Sequence, residues 1–168
     1  WNVKGFNGNQ ATSTLKLRTQ DIAYSIQKWN PDIICMQEYN TNDRPNDIAN
    51  HATYFNKNYP YNYFSKDIQI ADKSYFLGCI IFSKYPIIKA QRIAYTNQES
   101  LIYVDLLRGD DTIRVFTTHL ASYRFKQNDF IALEATAQAN SIDISGKKGV
   151  LRKMRTAFVE RAVQAQIV

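Results

Sequence analysis

The chain has 168 residues, 45% of them hydrophobic and 13% aromatic, which fits one globular domain and excludes a disordered chain. No stretch approaches the roughly 18 uninterrupted apolar residues that a membrane-spanning helix requires. The formal net charge of +6 favours anionic partners such as nucleic acid, phospholipid headgroups or phosphate esters, although a solvated basic surface gives the same charge.

The first part of the sequence predicts a strand, a helix and a second strand. Trp1 to Val3 starts in mid-strand, so we expect the chain to be part of a longer protein. A helix is predicted from about Gln10 to Trp29, because apolar residues recur at helical spacing and Asn30-Pro31 ends the pattern. Ile33 to Gln37 is an almost entirely apolar run, typical of a strand buried on both faces.

The middle of the chain is predicted to be rich in strands. A short helix is predicted first, from Asn46 to Asn56. Strands are then predicted for four runs of β-branched and aromatic residues, namely 61–65, 75–83, 100–107 and 112–120. Gly109 and the aspartates after it predict a hairpin between the last two strands.

The last part of the chain is predicted to be helical. Helical character resumes at Asp129, breaks at the glycine-bearing stretch 145–149 and continues to Val168. The basic run Lys147 to Arg155 is expected to lie on a solvated face of the final helix. The apolar side of this helix is expected to consist of Leu151, Met154, Phe158 and Val159.

This order of elements indicates an α/β fold in which a layered sheet is covered by helices. No internal repeat or low-complexity tract divides the sequence, so one domain is expected. Because the chain ends on a helix with no strand after it, the sheet is expected to be incomplete at the C-terminal side.

Three polar residues lie at the C-terminal ends of predicted strands. Asn2 follows Trp1, Glu38 follows the apolar run 33–37, and His119 follows residues 113–118 near the end of the last predicted strand. Ligands bind at strand ends of layered α/β sheets, because loops open there and the sheet holds the side chains rigidly. Each residue also has a simpler explanation: Asn2 as a turn former, Glu38 as a solvated acid and His119 as a structural histidine. Three groups of complementary chemistry in equivalent positions favour a shared site.

The chemistry of these side chains fits a divalent cation and a phosphate ester. Glu38 offers the hard oxygen ligand that Mg²⁺ or, as an alternative, Mn²⁺ prefers, and water and phosphate oxygens complete such a site. Asn2 can donate to a phosphate or orient another side chain, and His119 can stabilise charge on the phosphorus or its leaving group. Cys35 and Cys79 lie in apolar runs and are expected to be buried thiols, so no zinc site is predicted. His51 is assigned no role.

Four segments of the chain resemble, in order and spacing, the endonuclease/exonuclease/phosphatase superfamily; they are residues 1–7, 31–38, 78–87 and 113–122. The pairs Trp-Asn and Gln-Glu are weak signals alone, but the four segments together are specific. The resemblance implies a four-layer α/β sandwich of two β-sheets flanked by helices. Residues 1–168 are then expected to be the N-terminal portion of one such domain.

The resemblance also implies roles for individual residues. Glu38 matches the Mg²⁺-ligating glutamate of the family, and Asn2 matches the asparagine near the metal and the scissile phosphate. His119 matches the histidine that contacts the phosphate, and Gln37 is expected to brace the site beside Glu38. Lys4 stands where some members carry an aspartate, which argues against an abasic-site endonuclease.

The implied function is a Mg²⁺-dependent hydrolase of phosphodiester or phosphomonoester bonds, nuclease-like or phosphatase-like. The family's later Gly-Asp-x-Asn and Ser-Asp-His segments have no match, so this segment alone is expected to be inactive. The alternative is a non-catalytic module of the same fold that binds anions or nucleic acid. Nucleic acid, a phospholipid headgroup and an inositol phosphate suit the basic charge equally. The aromatic-rich stretch 54–65 could stack bases, although tyrosines of this kind more often pack a sheet edge.

Overall fold

The computed structural model describes residues 1–7, 12–47, 49–70, 75–95, 98–123, 125–138 and 147–168. These residues fall into two compact units, Trp1–His119 and Leu120–Val168. Within the described residues, the first unit holds one α-helix and two β-sheets, and the second holds two α-helices.

Helix α1, Thr12–Lys28, confirms the helix predicted from about Gln10 to Trp29, although the first two predicted residues, 10 and 11, lie outside the described residues. Ala23 and Ile26 on this helix pack into a buried hydrophobic cluster. The helix stops where Asn30 takes a left-handed φ of 46°, directly before proline, which disfavours helical backbone in the residue before it.

The helix predicted from Asn46 to Asn56 is wrong, because the described residues of that stretch form only a short 3₁₀ helix, His51–Tyr54. In the residues that precede this 3₁₀ helix, polar side chains form hydrogen bonds with nearby backbone groups. Asp47 Oδ1, for example, accepts a hydrogen bond from Ala49 N at 2.9 Å. Such bonds offer the backbone an alternative to helical hydrogen bonding.

Seven antiparallel strands form the two sheets of the first unit among its described residues. The first sheet contains β1 (Ile33–Asn42), β2 (Tyr61–Phe64), β3 (Ile68–Ile70) and β4 (Tyr75–Ser83), in the order β1-β4-β2 with β3 also paired to β4. The second contains β5 (Ile87–Ala94), β6 (Ser100–Arg108) and β7 (Asp111–Thr118), in that order. The predicted α/β sandwich of two sheets is confirmed.

The strand predictions are mostly confirmed, with ends that differ by a few residues. The predicted hairpin joins β6 to β7, and Gly109 takes a left-handed φ of 61° at its turn. The sequence pattern does not predict β3 and β5, and β5 carries Lys89 and Arg92 and is mostly exposed. The predicted first strand, Trp1 to Val3, is reduced to one isolated parallel bridge between Asn2 and Gln37.

Strand β4 separates two hydrophobic clusters, because its side chains alternate between the two faces of the sheet. Ile80 and Phe82 belong to the cluster that includes α1, here called the helix-side core. Cys79 and Ile81 belong to the cluster between the two sheets, here called the intersheet core. The first sheet is therefore buried on both faces, which explains the continuous apolar run at the start of β1.

The second unit contains, in its described part, helices α2 (Gln127–Gln138) and α3 (Lys147–Ala165). Arg152 and Arg155 are exposed, in agreement with the predicted solvated face of α3. Lys153 Nζ lies 2.6 Å from Asp129 Oδ2 on α2. No helix in the described part of the chain is long and apolar enough to cross a membrane.

The predicted apolar side of α3 is wrong. Leu151, Phe158 and Val159 are 60%, 54% and 59% exposed. The buried residues are instead Val150, Ala157 and Gln164, which lie on one face at intervals of about two turns. Gln164 Oε1 accepts a hydrogen bond from the Ala121 backbone N–H at 2.8 Å, a polar contact that hydrophobic periodicity cannot predict.

His51 is fully buried in the helix-side core. Its Nδ1 donates to the Asn40 carbonyl oxygen at 2.7 Å, and its ring meets that of Phe6 at a centroid distance of 4.6 Å. Its Nε2 has no hydrogen-bond partner. Burial lowers the pKa of His51, and the Asn40 carbonyl and the charge of Asp47 offset this only in part. The ring is therefore held neutral by its surroundings.

We expect stability to fall as the pH drops below the ordinary histidine pKa of 6.5. Below that pH the unfolded chain binds a proton at His51, whereas the folded chain excludes it until the pH falls through the lower folded pKa. Between about pH 7 and pH 5, the free energy of unfolding, measured by urea denaturation, should fall more in the unsubstituted protein than in a His51→Gln variant. An equal pH dependence in the two proteins would mean that folding does not keep His51 neutral.

Candidate active site

Asn2, Glu38 and His119 lie together in the first unit, although they are far apart in the sequence. Asn2 Nδ2 donates to Glu38 Oε1 at 2.7 Å, and His119 Nε2 lies 3.4 Å from the same oxygen. The Glu38 and His119 side chains are 33% and 29% exposed, so a ligand can reach both. The structure thus brings all three predicted residues into one solvent-accessible cluster.

A β-bulge in β1 places Glu38. The pairing register with β4 shifts by one between Met36 and Tyr39, so that Gln37 and Glu38 together face the single residue Cys79. Glu38 takes a left-handed φ of 52°, which is uncommon for a residue with a Cβ. The extra residue keeps Met36 and Tyr39 in the same buried cluster and leaves Glu38 partly exposed.

The backbone of Gln37 places Asn2 beside β1. Gln37 N donates to Trp1 O, and Val3 N donates to Gln37 O, both at 3.0 Å. The short stretch that contains Asn2 is therefore bonded on both sides of that residue to the bulged part of β1. This pairing brings the Asn2 amide within hydrogen-bond reach of Glu38.

His119 is held from both sheets. Gln37 Nε2 donates to Thr117 Oγ1 at 2.7 Å, a bond from β1 to β7 that lies close to His119 in the chain. The backbone N–H of His119 and the hydroxyl of Thr118 each donate to Ser100 O at 3.4 Å. His119 therefore leaves β7 with its backbone fixed against the start of β6, and Gln37 has the bracing position expected from the sequence.

The turn that follows Asn2 has a strained backbone, which burial and hydrogen bonds hold in place. Lys4, Gly5 and Phe6 take left-handed φ values of 48°, 59° and 49°, which only glycine adopts freely. Phe6 is fully buried, and Asn40 Nδ2 donates to Gly5 O at 2.6 Å. Lys4 N donates to Asn2 Oδ1 at 2.9 Å, which fixes the orientation of the Asn2 amide. Backbone strain of this kind persists where the surroundings over-determine it, and it clusters at functional sites.

The donor atoms of the cluster fit Mg²⁺ or Mn²⁺ better than zinc. Glu38 supplies one carboxylate, and Mg²⁺ is commonly held by one or two carboxylates together with water and phosphate oxygens. In the described part of the chain, no group of three or more His, Cys, Asp or Glu side chains could hold a metal ion. Burial raises the pKa of Cys79 to about 12 and also raises that of Cys35, so both thiols stay protonated. Metal ligation by Glu38 stays a prediction.

Sequence patterns did not point to Thr117 or Ser100 as parts of the site. A threonine near a strand end and a serine at a strand start are common, and neither carries a distinctive motif. Their contribution follows from register, because β7 must lie beside β6 and across from β1 before these groups can reach their partners.

Known proteins match the chain at the level of family and fold. A family model described as Endonuclease/Exonuclease/phosphatase family matches residues 1–148. TDP2 from Caenorhabditis elegans matches with 23% identity and a TM-score of 0.51, over 83% of this chain and 42% of that one. An endonuclease/exonuclease/phosphatase family protein from Leptotrichia buccalis matches with 14% identity and a TM-score of 0.52, over 93% of this chain and 72% of that one.

A further solved structure carries a ligand. TDP2 from D. rerio, in complex with a single-strand DNA product, matches with 14% identity and a TM-score of 0.50, over 89% of this chain and 62% of that one. No curated protein sequence matches. At these identities the solved structures show the fold, and the chain spans less than half of the C. elegans structure, at 42%.

Replacing Glu38 should reveal the backbone strain of the bulge. A left-handed residue with a Cβ costs about 1–2 kcal/mol, part of which is offset by the greater flexibility of glycine in the unfolded chain. We expect Glu38→Gly to be more stable than Glu38→Ala by roughly 0.5–1 kcal/mol. Both variants lose the carboxylate and its bond to Asn2, so urea denaturation of the pair isolates the backbone effect. Equal stabilities would contradict strain at this position.

Proposed function

Because the chain belongs to the endonuclease/exonuclease/phosphatase family, we propose that it acts in the Mg²⁺-dependent hydrolysis of phosphodiester or phosphomonoester bonds. The observation that supports this is the cluster in which Asn2 Nδ2 and His119 Nε2 approach Glu38 Oε1, at 2.7 and 3.4 Å. A carboxylate with a neighbouring amide and imidazole combines a metal ligand with donors for a phosphate group.

Each side chain has its own role in the proposed reaction. Asn2 donates to Glu38 Oε1 and so orients the carboxylate, whose Oε2 remains to hold the cation. Bound Mg²⁺ would act as a Lewis acid toward the phosphate oxygens. His119 would hold a proton at Nε2 and donate a hydrogen bond to a phosphate oxygen on which negative charge increases. Through its bond to Thr117, Gln37 keeps Glu38 and His119 at a constant separation.

Nucleic acid is the substrate class that we infer first. The D. rerio structure with this fold holds a single-strand DNA product. Trp1 is 58% exposed next to Asn2 and could stack on a base, and the exposed Lys4 adds positive charge. Phospholipid headgroups and inositol phosphates are the alternatives, because a basic surface attracts each of them. Phe55 and Tyr59 of the aromatic-rich stretch are fully buried, so they pack the core and cannot stack on bases.

We further propose that residues 1–168 do not complete the reaction by themselves. They span 42% of the C. elegans structure and 62% of the D. rerio structure. Their two histidines are His119 and the fully buried His51, so no second imidazole is available to assist the attacking water. The chain is then the N-terminal portion of one domain, and the missing groups come from other residues of the intact protein.

In the intact protein, we expect Glu38→Ala to lower Mg²⁺-dependent turnover by at least about a hundredfold, because the cation loses its protein ligand. Turnover would be measured on single-stranded DNA, RNA, sphingomyelin and inositol phosphates, which also ranks the substrate classes. Asp21→Ala is the matched control, since Asp21 is an exposed carboxylate on α1. Unchanged turnover in a folded Glu38→Ala protein would contradict the metal assignment.

The 168-residue chain should bind Mg²⁺ without hydrolysing bis-p-nitrophenyl phosphate or plasmid DNA. Titration with Mg²⁺ should shift the NMR signals of the Asn2 side-chain amide, because that group is bonded to the proposed ligand. The same titration of Glu38→Gln should leave these signals in place. Metal-dependent hydrolysis by the chain alone would contradict its inactivity. DNA binding without turnover in the intact protein would favour the non-catalytic alternative.

A further inference from the structure

Asp67, in the loop between β2 and β3, is a buried carboxylate outside the Asn2–Glu38–His119 cluster. Its side chain is 3% exposed. Its Oδ1 accepts from Ser100 Oγ at 2.6 Å and from Arg92 Nε at 2.8 Å, and its Oδ2 accepts from Ser65 Oγ at 2.6 Å. Since Arg92 and Ser100 belong to the second sheet and Ser65 follows β2 of the first, one carboxylate joins the two sheets.

Stability alone is a poor explanation for this group. Removing two charges from water is expensive, and replacing a buried ion pair with apolar residues is often neutral or stabilising. The side chains bonded to Asp67 lead instead, along two separate branches, to the backbone next to Glu38 and the backbone of His119.

The first branch leads to the strand that faces Glu38. Ser65 Oγ accepts from the Cys79 backbone N–H at 2.8 Å, and Ser65 N donates to Cys79 O at 2.9 Å. Cys79 is the residue of β4 that lies opposite the bulge. The groups are so close that a Cβ on Gly78 would lie 2.2 Å from Ser65 Oγ and 2.9 Å from Asp67 Oδ2. Glycine at this position therefore allows the branch to form.

The second branch leads to His119. The hydroxyl of Ser100 donates to Asp67, while the carbonyl oxygen of the same residue accepts from the His119 backbone N–H at 3.4 Å. Thr118 Oγ1 donates to this carbonyl as well, also at 3.4 Å. Ser100 is itself fully buried, so its position depends on the partners of its hydroxyl and carbonyl groups.

We propose that Asp67 is a positioning residue that sets the separation between Glu38 and His119. It contacts neither side chain. It fixes the backbone opposite Glu38 through Ser65 and the backbone of His119 through Ser100. A carboxylate suits this role because its oxygens accept all three hydrogen bonds, whereas an asparagine would present an NH₂ group to one of the donors. The effect of Asp67 on turnover rests on the proposed function, whereas its effect on the positions of Glu38 and His119 does not.

The pair formed by Asp105 and Arg114 provides a matched control in the second sheet. The Asp105 side chain is 10% exposed and accepts from Arg114 Nε at 2.6 Å and from Arg114 Nη2 at 2.8 Å. It joins β6 to β7 as an acid–arginine pair of the same kind, but it has no bond to Ser65 or Ser100. An Asp105→Asn variant therefore tests for the general effect of weakening such a pair.

The ring NMR signals of the two histidines in the chain report the geometry directly. At constant pH, Asp67→Asn should move the signals of His119 and leave those of His51 in place, whereas Asp105→Asn should move neither. Ser100→Ala retains the Asp67–Arg92 pair and should also move the ring NMR signals of His119. This variant replaces Asp67→Asn in the test if Asp67→Asn does not fold. The proposal is wrong if the His119 signals stay in place in the folded variant, or move equally in Asp105→Asn.

Kinetics of the intact protein test the consequence for catalysis. We expect Asp67→Asn to lower kcat by about tenfold or more with KM within about twofold, because misplaced groups act mainly on the transition state. Asp105→Asn should leave both constants unchanged. If Glu38→Ala abolishes turnover while Asp67→Asn alters neither kcat nor the His119 signals, the positioning role of Asp67 is wrong and the proposed hydrolase function is supported. If the His119 signals move in Asp67→Asn but the intact protein hydrolyses no phosphate ester, the proposed function is wrong and the positioning role of Asp67 is supported.

Discussion

The side chains of a β-strand alternate between two faces, so one extra residue reverses the face that every later residue occupies. In β1, Ile34 and Met36 face the helix-side core, and strict alternation would then place Tyr39 on the opposite face. The bulge at Gln37 and Glu38 returns Tyr39 to the helix-side core. Because of the bulge, Glu38 takes a left-handed backbone conformation and its carboxylate lies outside the core, partly exposed.

The other members of the candidate site are held relative to this bulge. The backbone of Gln37 bonds to the stretch that carries Asn2, and its side chain bonds to Thr117 near His119. One residue next to Glu38 thus holds two chain segments that are distant in sequence. A site assembled in this way depends on the pairing of whole strands, because neither segment has a local reason to lie beside the other.

The polar groups around Asp67 are more completely hydrogen-bonded than some buried polar atoms of the helix-side core. Asp67 has three donors on its two oxygens. Asn40 Oδ1 and His51 Nε2, in contrast, are buried with no hydrogen-bond partner among the described protein atoms. The polar contacts of Asp67 lie between the two sheets and bond, through Ser65 and Ser100, to the backbone opposite Glu38 and to that of His119.

Local sequence signals were enough to predict helix α1, the hairpin at Gly109, and Asn2, Glu38 and His119 as candidate site residues. These signals are local, since periodicity, turn residues and motifs are properties of neighbouring positions. The bulge at Glu38 in β1 and the bonds of Asp67 to both sheets are visible only in the folded chain. Such contacts depend on strand register and on hydrogen bonds between residues far apart in the chain, which no pattern of neighbouring residues encodes.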